Sequence, residues 1–120
     1  MQIGIKKQQA QQEYWFHEGC FIAEIANDED DPACSIARAR VEPGKTTAWH
    51  MLDGIQERYI IVSGSGRVEV GTTLCCNVAP GDVVRIPGNT RQRITNTGDR
   101  DLIFYAVCTP PFSSGCYQAL

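Results

Sequence analysis

Seven short apolar runs, 20–25, 34–41, 58–62, 67–70, 83–86, 91–95 and 102–108, recur along the chain. Turn chemistry separates them: Asn27-Asp28, Pro43-Gly44, Asp53-Gly54, Ser63-Gly64-Ser65-Gly66, Pro80-Gly81-Asp82, Pro87-Gly88-Asn89 and Thr97-Gly98-Asp99. Many short strands at this spacing predict an all-β barrel or sandwich. The one helix-like stretch is residues 6–12, rich in Gln, with a frayed leader as its alternative. The acidic run Asp28-Glu29-Asp30-Asp31 reads as a solvated hairpin loop.

Side-chain parity adds detail. After the Asp-Gly turn, Glu57, Tyr59 and Ile61 share one face of the strand, while Arg58, Ile60 and Val62 share the other. Both faces are largely apolar beyond the first pair. This predicts a sheet covered on both sides, by the barrel interior on one and by a second sheet or subunit on the other. The run 102–108 repeats the pattern, with Leu102, Phe104 and Ala106 set against Ile103, Tyr105 and Val107. A homodimer accounts for this, and so does a barrel packed against its own N-terminal strands.

Size and charge narrow the class. A chain of 120 residues is expected to form a single domain with one core. Residues 1–30 read as leader and first strands, 34–108 as the barrel and 109–120 as a C-terminal tail. A net charge of -3 without any Lys/Arg-rich run argues against nucleic acid as a partner. The apolar runs are too short to span a bilayer, and the first residues lack the apolar core of a signal peptide. A cytoplasmic protein with no membrane partner is the expectation. Six cysteines (Cys20, Cys34, Cys75, Cys76, Cys108, Cys116) contain no Cys-x-x-Cys, so they are expected to stay reduced, as small buried hydrophobes plus an exposed thiol or two.

The chemistry concentrates in residues 43–66. Asp53-Gly54 between apolar residues is a strong hairpin cue, and a two-residue loop sets Leu52 against Ile55 and His50 against Glu57 across a ladder. A His and a Glu so placed make either a hydrogen-bonded pair or half of a metal site.

Two spaced motifs make the chain resemble a small single-domain cupin. That family's first motif is Gly, five residues, His-x-His, three or four residues, Glu, six residues, Gly; here Gly44, His50, Glu57 and Gly64 stand at that spacing. The second is Gly, five residues, Pro-x-Gly, two residues, His, three residues, Asn; here Gly81, Pro87 and Asn96 hold their places, with Asn89 for the Gly and Gln92 for the His. The resemblance implies a cupin-type double-stranded β-helix, a jelly-roll-like barrel of two antiparallel sheets. It also implies a metal site of three His and one Glu. Carried over, that set becomes His50, Leu52, Glu57 and Gln92. Leu52 binds no metal, and Gln92 offers only a hard carbonyl oxygen. The implied metal, one divalent Fe, Mn, Ni or Zn ion, is therefore weakly held or absent. His17, Cys108 and Cys20 are the candidates to complete it.

Other residues bear on the cavity. Tyr59 shares the face of Glu57, either filling a wall or donating a proton to substrate. Arg38 and Arg40 form either a solvated outer stripe or an anion-binding pair. Trp49, Arg91 and Arg93 are expected to point away from it. Phe112 and Tyr117 either dock with the tail or cover one mouth. Two functions stay open: a binding module whose cavity holds a small polar or anionic molecule beside a degenerate metal site, and a metal-dependent enzyme resembling sugar-phosphate isomerases or dioxygenases. No catalytic residue is assigned.

Overall fold

The computed structural model describes residues 1–7 and 12–120. Most of the helix-like stretch expected at 6–12 falls on residues 8–11, outside the described residues. The strands are β1 (Tyr14–Phe16), β2 (Cys20–Ala26), β3 (Ser35–Val41), β4 (His50–Leu52), β5 (Gln56–Ser63), β6 (Gly66–Val70), β7 (Leu74–Val78), β8 (Val83–Ile86), β9 (Gln92–Asn96), β10 (Leu102–Thr109) and β11 (Tyr117–Ala119). A single 3-10 turn, Ser114–Cys116, precedes β11. Among the described residues no helix is long and apolar enough to cross a membrane.

Two antiparallel sheets face one another. One runs β1-β2-β3-β10-β5-β8, the other β11-β4-β9-β6-β7. The alternation read from the sequence places Tyr59 and Ile61 of β5, and Leu102 and Phe104 of β10, in the interior, where Val41, Val68 and Ile94 meet them. Each such side chain contributes about 1.5–3 kcal/mol by leaving water. No second sheet of this chain covers the opposite face of β5 and β8 among the described residues: Ile60, Val62 and Val83 stand exposed. β1, β7 and β11 escaped the sequence reading. β1 and β11 hold only three residues each, too few for a period to show. β7 is a sheet edge on which Leu74 to Asn77 are all exposed, so it carries no alternation.

The Asp53-Gly54 turn does not make the expected hairpin. β4 and β5 belong to different sheets, so His50 pairs with Gln92 and Ala119, while Glu57 pairs with Cys108 and Ile86. Ile55 stays outside both strands and is buried, packing with Leu52 rather than facing it in a ladder. Gly54, at φ 70°, lets the chain cross between sheets.

Asn89 braces that crossing. It adopts φ 58°, a left-handed conformation that Asn tolerates better than other side chains, at the position where the motif has Gly. Its Oδ1 accepts the Gly54 N–H at 2.7 Å, and its own N–H donates to the Leu52 carbonyl at 2.9 Å. Asn89→Ala is expected to cost about 1–3 kcal/mol in chemical denaturation, from the lost hydrogen bond and the left-handed strain together. A cost below about 0.5 kcal/mol would show the brace to be idle. Gly64 is fixed more rigidly: at φ 86°, a Cβ there would stand 2.6 Å from the Asp101 carbonyl oxygen.

Candidate functional site

Gln92 ties the two sheets together inside the barrel. It is 1% exposed, and its ladder partner His50 is 2% exposed. The Gln92 amide nitrogen donates to Glu57 Oε1 at 2.8 Å, and the Tyr59 hydroxyl donates to Gln92 Oε1 through a short hydrogen bond. Glu57 Oε2 accepts the Cys108 thiol at 3.7 Å. Glu57 and Tyr59 sit two residues apart on β5, so one strand face delivers both.

His50 is oriented from the other side. Its Nδ1 lies 2.7 Å from the Ala48 carbonyl, which makes Nδ1 the protonated nitrogen and leaves the Nε2 lone pair free. Tyr117 of β11 stacks on the imidazole with ring centroids 5.2 Å apart. Nε2 stands 3.4 Å from Glu18 Oε2.

Glu18 is the residue that the sequence reading missed. It lies in the turn between β1 and β2, where Gly19 reaches φ 104° and donates to the Phe16 carbonyl. The Glu18 carbonyl accepts the Ala48 N–H at 2.7 Å, so one backbone bond joins this turn to the segment that orients His50. A turn residue has no period to betray burial. Its only sequence signal was a carboxylate beside a glycine between two apolar runs.

Burial pushes the Glu18 carboxyl up to about 8, and the nearby charge of Glu57 adds to this. Burial raises Glu57 to about 7, against the pull of its Gln92 and Cys108 hydrogen bonds. Burial lowers His50. Both carboxyls therefore bind protons in the folded chain at pH values where the unfolded chain has released them. Their stabilising contribution is complete below the unfolded value of 4.5 and is lost as pH rises through 7 and 8. The thermal midpoint is expected to fall by roughly 5 °C or more between about pH 6.5 and 8.5. Glu18→Gln should flatten that slope, and a midpoint that rises over the interval would contradict the assignment.

These carboxyls line a cavity of about 60 Å³. Glu18, Glu57 and Glu24 supply its polar surface, Tyr14, Phe16 and Phe112 its aromatic surface, and Ala37 and Ala106 part of its wall. It reaches solvent at Tyr14 and Glu24, which are exposed. Of the residues expected at the cavity, Tyr59 is buried against Gln92, and Leu52 packs with Cys108 beside it. Arg38 and Arg40 are not there. Ser35, Ala37, Ala39 and Val41 take the inward face of β3, so both guanidiniums lie outside the barrel. Arg40 binds Glu13 through Nε at 3.0 Å and Asp101 through Nη1 at 3.1 Å; Arg38 stands 3.6 Å from Glu13. His17 is exposed, edge-on to the Tyr117 ring. Trp49 faces outward between Arg91 and Arg93, with guanidinium carbons 4.0 and 4.3 Å from its ring centroid.

The donor set does not fit a metal ion. Among the described residues no three His, Cys, Asp or Glu side chains converge into a cage. Gln92 has its carbonyl oxygen taken by Tyr59 and its amide by Glu57, and Leu52 offers no donor.

Solved structures share this architecture. A nucleoside dehydratase from Streptomyces, solved with uridine, superimposes with a TM-score of 0.80 at 17% identity, over 100% of this chain and 92% of its own. The oxalate decarboxylase of Lactobacillus farciminis, solved with formate, gives 0.77 at 24% identity over 92% of this chain and 33% of its own. The cupin domain of Schizosaccharomyces pombe Cnp3 gives 0.73 at 14% identity, over 84% and 69%. No curated protein matches the chain by sequence. The family profile "Cupin domain" matches residues 37–108, which include His50, Glu57 and Gln92. With that match spanning more than half its length on a barrel of two antiparallel sheets, the chain belongs to the cupin family.

Proposed function

We propose that this cupin binds a small polar molecule in its barrel without a metal ion, and that its polar groups are arranged for proton exchange with that molecule. One observation carries the reading. Gln92, at the position where metal-binding cupins have an imidazole, is bound at both ends of its amide and donates a hydrogen bond to Glu57. Glu57 is thereby partnered without a cation.

The lining favours a ligand that donates hydrogen bonds. Related folds have been solved with an uncharged nucleoside and with the formate anion. Here the cavity carries three carboxyls and no basic side chain, so an anion would find no counter-charge. The small anionic ligand expected from Arg38 and Arg40 loses its support, because both are engaged outside by Glu13. Glu18 lines the cavity as a protonated acid and can give up a proton, and the free Nε2 of His50, 3.4 Å from its Oε2, can take one by way of Glu18.

Elemental analysis of protein purified without added metal tests the reading. Less than about 0.1 equivalent of Fe, Mn, Ni or Zn is expected, with a thermal midpoint unchanged by chelator. Near-stoichiometric metal that disappears in His50→Ala would replace this proposal with a metal-dependent enzyme.

A further inference from the structure

The first residues of the chain form an arm tied to the acidic run at two points. The Gln2 N–H donates to the Asp30 carbonyl at 2.7 Å, and Lys6 Nζ binds Asp28 Oδ2 at 2.6 Å. Met1, Ile3 and Ile5 alternate with the anchoring residues and are 86%, 104% and 81% exposed. A second apolar surface lies open on the outer face of the six-stranded sheet. Tyr105, Ile60 and Val83 stand in one row across β10, β5 and β8, and the next row is Val107, Arg58 and Arg85. Ile60, Val83 and the neighbouring Val62 are exposed. Among the described residues no carboxylate pairs with Arg58 or Arg85, and no cation pairs with Glu29 or Asp30.

One chain therefore carries both halves of a complementary contact and leaves both open: an apolar arm beside unpaired acids, and an apolar strip beside unpaired arginines. A second copy supplies each half with its match, and a two-fold axis makes the contact twice. The area agrees with this occupant. At ordinary strand spacing and rise the strip over β3, β10, β5 and β8 measures roughly 19 by 17 Å, about 300 Å² per copy. Two strips alone give about 600 Å², the scale of an incidental packing contact. A six-residue arm, at most about 20 Å long and roughly 10 Å wide, adds about 200 Å² per copy. The total, about 1,000 Å², reaches the size at which specific interfaces begin. We propose that the chain forms a two-fold dimer by exchanging arms: Met1, Ile3 and Ile5 of each copy lie on Ile60, Val62 and Val83 of the other. Glu29 and Asp30 then meet Arg58 and Arg85, which fixes the direction of the arm. The contact lies on the outer face of the sheet, apart from the cavity.

Sedimentation equilibrium of the full chain, at roughly 1–100 μM, tests the proposal. The expected mass at the upper end is twice the 13.3 kDa of one chain. Ile3→Asp with Ile5→Asp, and separately Val83→Asp, should each weaken the dimer at least about 100-fold. All three positions are exposed in the single chain, so circular dichroism should stay that of the parent. A mixture of the arm variant and the strip variant should form more dimer than either alone, because the heterodimer keeps one intact arm on one intact strip. In a half-labelled sample of the unaltered chain, intermolecular NOEs should join the Ile3 methyls to those of Ile60 or Val83, a readout that needs no variant. A monomer at the highest concentration overturns the proposal, and so does a dimer that either variant leaves intact. A mixture no better than its components, or a dimer without those NOEs, overturns the exchange of arms.

Discussion

Gln92→Ala is expected to lower the thermal midpoint by roughly 10–20 °C, far more than an ordinary polar-to-alanine change. The side chain is 1% exposed and joins β9 to β5 through two hydrogen bonds. Its loss strands the Tyr59 hydroxyl and one oxygen of Glu57 in the interior, each at a cost of about 1–3 kcal/mol. The space it leaves adds a packing penalty of about 1 kcal/mol. The sum, roughly 3–7 kcal/mol, converts at about 3 °C per kcal/mol for a domain of this size. Tyr59→Phe removes only one donor and should cost about 1 kcal/mol, so the two variants differ several-fold if Gln92 is the hub. A calorimetric drop below about 3 °C for Gln92→Ala would mean that water or another side chain already serves Glu57.

The hub could be anticipated only in part. Alternation along a strand puts Glu57, Tyr59 and Ile61 on one face, without saying which face is the inner one. The barrel buries all three. Gln92 was named through motif spacing, with no physical signal of its own. The error at Asp53-Gly54 has a different origin. A turn sequence specifies how the chain reverses locally, and it says nothing about which sheet each flank joins. His50 and Glu57 therefore lie near one another through Gln92 rather than through a shared ladder. Arg38 and Arg40 were ambiguous because Pro43-Gly44 breaks the parity that would have tied them to His50. Small Ala37 and Ala39 on the inner face settle it, since they leave room for the rings and carboxyls opposite. Glu18 was invisible because burial in a turn is decided by what the barrel closes over.

Restoring imidazoles at the two departing positions is expected to raise affinity for Zn or Fe by orders of magnitude. Leu52 faces inward two residues after His50, and it packs on Cys108, whose thiol touches Glu57. Gln92 reaches Glu57 directly. Leu52→His with Gln92→His thus adds two soft-enough nitrogen donors around one carboxylate and one existing imidazole, the three-His, one-Glu set of metal-binding cupins. Each replaces a group that binds metal weakly or not at all. The apo form should be weakened, by about 2 kcal/mol for the buried leucine and further for the broken Gln92 bonds. Metal should then recover what the substitutions cost, because binding to the folded form alone stabilises it. Zinc calorimetry, with cobalt absorption for coordination number, reads the result at a pH high enough to deprotonate the new ligands. The single variants, with three donors, should bind less tightly than the double with four, and the parent least of all, since its two good donors rarely hold a transition metal. A double variant that folds, gains no stability from zinc and binds no better than the parent would show that positions 50, 52, 57 and 92 do not converge. The account of Gln92 as the residue that displaces a metal would then fail with it.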